Sequence, residues 1–232
     1  MATKAKSNGN GATLHEERAA RVEVPPQRGR EVQIKAPNLQ TAEFRIIGTA
    51  PYMQARFAAK AMQAMMAKHA AGSQANKSKN RAARDFNADY EGAKHKFKDG
   101  TCGIPAGAFR NAMVSACRLV NFKMTIGKLS VFVEADGLDE VDGTPLVRIK
   151  GTPERTDLAV RNDSGVCDIR VRPMWREWSA LVRIRFDADQ FSVEDVANLL
   201  ARVGMQIGIG EGRPDSKESC GMGYGLFKIE GK

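Results

Sequence analysis

The apolar positions change period along the chain, and each change marks an element. Ala42-Glu43-Phe44-Arg45-Ile46-Ile47-Gly48 alternates and stops at a glycine, which predicts a strand. Thr49 to Met53 reads as an extended turn around Pro51. Phe57 to Met66 is built from strong helix formers, and Met62, Met65 and Met66 share one face at helical spacing. Such a methionine stripe is expected in a core rather than in a partner groove. Ile104-Pro105 opens a second helix, because proline suits a first turn. Phe109, Ala112, Met113, Ala116 and Cys117 make its apolar face, with Arg110, Asn111 and Arg118 turned away. Leu129 to Val133 reads as a strand leading into an acidic turn, Glu134 to Gly143. That turn is expected to be solvated, since its carboxylates do not match a calcium-loop spacing.

From Pro145 to Asp187 the pattern is rich in strands: Leu146 to Ile149, Asp157 to Val160 and Asp168 to Val171. Ala180 to Phe186 alternates cleanly, with Arg183 and Arg185 on one face. Ser192, with Asp195 three residues on, predicts a capped helix from Val193 to about Val203, ended by Gly204. Six glycines follow, at 208, 210, 212, 221, 223 and 225. They read either as a bulged, glycine-spaced hairpin or as a backbone cradle for phosphates, with Arg213 and Lys217 adding charge. The order strand, helix, several strands, helix, strand predicts an α+β fold. Its expected form is an elaborated ferredoxin-like (RRM-like) antiparallel sheet with helices on one face. Residues 42–230 are expected to form this single domain. Residues 1–41 read as a disordered basic tail with an edge strand near Val32 to Ile34, and 72–101 as a flexible basic insertion.

Composition narrows the function more by exclusion than by assertion. A 42% apolar and 27% charged chain of 232 residues is ordinary for a globular protein. No apolar run approaches the roughly 18 residues of a membrane-spanning helix. The first residues carry no apolar stretch behind their lysines, so a secretory signal is not expected and a cytoplasmic location is. Cys102, Cys117, Cys167 and Cys220 form no Cys-x-x-Cys pair, and the three histidines lie apart from them. Reduced thiols and no metal or other cofactor are therefore expected. No Gly-x-Ser-x-Gly, His-Glu-x-x-His or P-loop pattern is present, so the chain reads as a binder rather than an enzyme.

The formal charge of +9 points to polyanions. Ten lysines and arginines between Arg56 and Lys98 face only Asp85, Asp89 and Glu91, with Phe86, Tyr90 and Phe97 spaced among them. Such a stretch suits either a nucleic-acid backbone or a solvated loop. Arg170, Arg172 and Arg176 surround Pro173-Met174-Trp175, with Trp178 beyond. Arginine beside tryptophan offers phosphate contact and base stacking, although at least one of the two tryptophans is expected in the core. The candidate contacts are Arg56, Lys60, Arg110, Lys123, Arg170, Arg172, Arg213 and Lys217 for phosphates, the Gly210 and Gly212 backbone, and Trp175 and Tyr224 for stacking.

Gly103-Ile104-Pro105-Ala106-Gly107-Ala108-Phe109-Arg110, Arg172 to Ala180, and the late Gly208-Ile209-Gly210-Glu211-Gly212-Arg213-Pro214 loop ending in Gly221 to Phe227 resemble a widespread family of phage and prophage proteins. Gly212 stands where that family usually has tryptophan. More distantly, the Ile-Pro helix start and the glycine-rich loop resemble the RAMP-superfamily backbone subunits of CRISPR effector complexes, which polymerise along single-stranded RNA. The resemblance implies an RRM-like sheet, a phage-encoded binder of single-stranded RNA or DNA, and homo-oligomers assembled as a filament. Arg110 and Arg213 would then lie near the nucleic acid, and the basic insertion would resemble the thumb. The alternative is a protein-interaction or assembly factor, such as a host-defence inhibitor or a virion accessory protein.

Overall fold

Strand β1 (Leu39–Gly48) turns the first alternating stretch into geometry. Phe44 and Ile46 face inward, while Glu43 and Arg45 stay in solvent. The computed structural model describes residues 34–57, 59–72, 83–161, 165–216 and 221–231. The chain divides into Met1–Ala36 and Pro37–Lys232, and all elements below lie in the second part. After β1 come β2 (Tyr52–Met53), α1 (Ala59–Ala71), α2 (Phe86–Gly92), β3 (Gly103–Pro105), α3 (Ala106–Ala116), α4 (Met124–Ser130) and β4 (Val131–Glu134). The rest are β5 (Gly137–Leu138), β6 (Pro145–Lys150), β7 (Glu154–Arg161), β8 (Cys167–Trp175), β9 (Ser179–Asp187), α5 (Val193–Arg202) and β10 (Phe227–Ile229).

The result is α+β with antiparallel sheets. Seven of the described strands join in one sheet, ordered β10-β1-β9-β6-β3, with β4 also on β9 and β5 on β6. A second sheet runs β2-β8-β7. β9 is the central ladder: Ala180, Val182, Ile184 and Phe186 are buried, and Leu181, Arg183 and Arg185 face the other way. Both α3 and α5 cover the buried face, sharing one core with Ile46, Val131 and Phe227. Full burial of a Phe186-sized side chain contributes about 1.5–3 kcal/mol each time, so this face holds the fold together.

Local signals set the helix ends. Pro105 precedes α3 with φ −53°, where its missing N–H costs nothing. Ser192 Oγ accepts from the Asp195 amide at 3.1 Å, and Asp195 Oδ2 accepts from the Ser192 amide at 3.0 Å, closing a reciprocal cap on α5. Between the two sheets, Tyr52 lies fully buried against Trp175 and Trp178, with ring centroids 5.4 and 5.6 Å away. Burial pushes its phenol well above the ordinary range.

Several expectations need correction. Met62, Met65 and Met66 are 50%, 51% and 65% exposed, not in the core. Met124–Ser130 is helical, so the predicted strand at Leu129 starts only at Val131. The acidic turn is not wholly solvated, because Asp139 is buried. The chain does not leave helix at Gly204: a π-helical turn, Val203–Ile207, follows α5 and is capped by Gly208. Among the described residues the glycine segment is a looped coil rather than a hairpin, with strand at Phe227–Ile229. Within the stretch read as a flexible insertion, 73–82 lie outside the described residues. The part beyond holds α2 and the buried Phe97 and Lys94. Of the edge strand near Val32, only Ile34 is described, and it is irregular.

Candidate nucleic-acid interface

Because the helices cover one face of the large sheet, its other face meets solvent. Cross-strand pairing arranges that face in rows. Thr41, Arg185 and Phe132 form one row, Glu43, Arg183 and Glu134 the next. Arg45 lies beside Leu181, and Lys228, Ile47, Ser179 and Lys150 complete the face. Phe132 is the aromatic of this surface. The Arg110 and Arg185 guanidinium carbons lie 5.0 and 5.5 Å from its ring centroid. Arg110 reaches there from α3 around the end of β4. It is fixed by donating from Nε to the Val131 carbonyl at 3.0 Å and from Nη2 to the Lys128 carbonyl.

Ion pairing decides which charges remain available. Arg45 pairs with Glu230 at 3.3 Å, and Arg183 with Asp136 and Glu134. Among the described residues, Arg110, Arg185, Lys150 and Lys228 have no carboxylate partner, against Glu43 and Asp187. The face therefore keeps a modest cationic surplus around a ring and two guanidinium planes. Planar groups of this kind stack on bases whatever their identity.

Most of the residues that the sequence singled out have structural duties instead. The Arg56 side chain is only 9% exposed and lies 3.4 Å from Asp139 and 3.2 Å from Asp142. Asp139 also accepts from His95 Nδ1 at 2.9 Å and from the Val141 amide at 2.8 Å. Burial pushes the Asp139 carboxyl up. The Val141 and Asp142 amides, His95 and Arg56 outweigh it and hold the group below the usual carboxylate range. His95, Asp139 and Asp142 have the spacing of a cation site, but the Arg56 guanidinium already supplies the positive charge there.

Glu211 binds Arg172 Nε at 2.5 Å and Arg170 at 3.6 Å, so both arginines fasten the glycine loop to β8. Arg213 donates to the Gly210 carbonyl at 3.1 Å. Trp175 is fully buried, as is nearly all of Trp178, so neither is a stacking surface; Trp175 Nε1 has no partner among the described residues. Gly210 and Gly212 serve the loop itself. The Glu211 amide donates to the Met53 carbonyl, and the Gly212 carbonyl accepts from the Met222 and Tyr224 amides. All six glycines have positive φ. At Gly225 a Cβ would lie 1.8 Å from the Ile209 carbonyl oxygen, so the space beside the backbone there is filled by protein, whereas the space beside Gly223 is open.

The structure does not bring the two predicted anchors together. Arg110 faces β4. The glycine loop meets the far end of α3, where Ser115 and Arg118 hold Asp215. Arg110 and Ser115 are five residues apart, about 140° around the helix. Lys123 is exposed at the start of α4, at the end of that helix away from β4. Tyr224 is partly buried beside Gly212. The Lys60 side chain and Lys217 lie outside the described residues. Sequence reasoning missed Phe132, Arg185, Lys150 and Lys228. The alternation of β9 signalled Arg185, but only strand pairing places it beside Phe132.

No helix among the described residues is long and apolar enough to cross a membrane. No protein-family model matches this chain, and no curated protein matches it either.

Proposed function

We propose that this protein binds single-stranded RNA or DNA across the open face of the large sheet, without catalysing a reaction on it. The observation that carries this reading is Phe132 flanked by Arg110 and Arg185, with Lys150 and Lys228 on the same face. Bases stack on the ring and guanidinium planes, and the lysines neutralise phosphates. The topology supports the reading. Taking β1, α3, β4, β9, α5 and β10 in order, the sheet runs β10-β1-β9-β4, all antiparallel. We read this as the ferredoxin-like arrangement of an RRM-like sheet. The resemblance to phage proteins and to RAMP backbone subunits points the same way. It adds that copies assemble side by side along one strand.

Fluorescence anisotropy on labelled single strands across a salt series tests the proposal. The logarithm of affinity is expected to fall with the logarithm of salt by about 0.7 per phosphate neutralised. Arg185→Ala lowers that slope by about that much. Phe132→Ala weakens binding by about 1–3 kcal/mol and leaves the slope alone. Binding that is micromolar or weaker at low salt and shows no slope overturns the reading. A protein-docking role is favoured by a different observation, the exposed methionine face of α1.

A further inference from the structure

Two apolar surfaces have no cover among the described residues, and they complement each other. The first is α1. Every side chain from Met62 to Ala70 is exposed, and Met62, Met65 and Met66 form a stripe at the i, i+3, i+4 positions that anchor a helix in a groove. A 13-residue helix whose described side chains are all exposed is marginal in water, so a partner is where its stability would come from. The second is a cavity of about 790 Å3 between α5 and the turn after α3. Its floor is Cys117, Leu199 and the Phe122–Phe191 ring pair, whose centroids are 4.8 Å apart. Its rim exposes apolar groups as well: Val120 is 45% exposed and Met205 73%.

Charge orients the match, because the cavity carries one carboxylate and one guanidinium at opposite ends of α5. α1 has no acidic residue between Ala59 and Ala71 and ends in Lys68 and His69. The cavity has Asp195 at the N-terminal turn of α5. Arg202, at the other end of that helix, is turned to Gln206 at 3.4 Å.

We infer that α1 of one copy docks its methionine face into the α5 cavity of a second copy, with its basic last turn beside Asp195. The two surfaces belong to different elements, and with a single such contact between any two copies the assembly is heterologous and propagates from copy to copy. This rests on the self-assembly part of the reading above and not on the nucleic acid.

The test uses full-length, nuclease-treated protein in sedimentation velocity over a concentration series. Wild-type mass is expected to rise past that of two chains. Met66→Asp removes the helix knob, and Met205→Asp removes the groove rim. Both positions are exposed, so the variants keep the wild-type circular dichroism spectrum and melting temperature. Each alone weakens self-association by at least about tenfold. Mixed one to one, each variant supplies the surface the other lacks, and the mixture stops at a dimer. Three results would each overturn the inference: a wild-type chain still monomeric at about 1 mM, variants that assemble as the wild type does, or a mixture that stays monomeric or grows past two chains. No nucleic acid is present, so these outcomes are independent of the anisotropy result.

Discussion

Replacing Arg56 with alanine separates a structural arginine from a phosphate-binding one. The side chain is 9% exposed, and that of its partner Asp139 is 0% exposed. Removing one member of a buried pair typically costs 3–5 kcal/mol, because the other charge stays buried without its partner. Asp139 is not left bare, however. It keeps amide hydrogen bonds from Lys96, Val141 and Asp142 and the contact with His95. The expected loss is therefore about 2–3 kcal/mol, a large part of the total stability of about 5–15 kcal/mol. With a urea dependence near 2–3 kcal/mol per molar, the unfolding midpoint moves down by about 1 M. Adding Asp139→Asn to Arg56→Ala removes the stranded charge, so the double variant loses less than the sum of the singles. Measured on the same proteins, the salt slope of nucleic-acid binding stays at its wild-type value. An unchanged midpoint together with a slope reduced by about 0.7 would refute the structural assignment and return Arg56 to the interface.

Gly225→Ala places a methyl against the Ile209 carbonyl at a residue with φ +69°. A loss of at least about 2 kcal/mol is expected in urea unfolding, and a loss under about 0.5 kcal/mol contradicts the close packing drawn for this loop. Acid unfolding should follow the carboxyls held below their usual range. The Ser115 hydrogen bond, and then Arg118, hold Asp215 down against a smaller burial effect, and Thr101 holds Asp99 at about 2 from an ordinary 3.8. A folded-state value below the unfolded one contributes stability that is present above the unfolded value and is lost as pH falls through the folded one. The thermal midpoint should therefore hold steady from neutrality to about pH 5 and drop mainly between about pH 4 and pH 2, and a drop complete by pH 5 would contradict it.

Elements with a strong local period were legible in the sequence. The alternation of Ala180 to Phe186, the apolar face from Phe109 to Cys117 and the Ser192–Asp195 cap all stand in the structure as read. Each depends on neighbours within a few residues, where periodicity and capping act. The reading failed where a residue's role depends on what arrives from far along the chain. Met62, Met65 and Met66 carry a core pattern, yet they stay exposed among the described residues. Arg56 and Arg172 look like free cations until Asp139 and Glu211 fold against them.

The sequence by itself determined that this is an α+β chain with an excess of positive charge and a closing segment punctuated by six glycines. Tertiary structure alone decided which charges are cancelled and which aromatics face water. Those depend on pairings between residues tens of positions apart, such as Phe132 with Arg185. A side chain's charge and shape are local properties, whereas its exposure and its counterion are set by strand register, and register is a property of the whole fold.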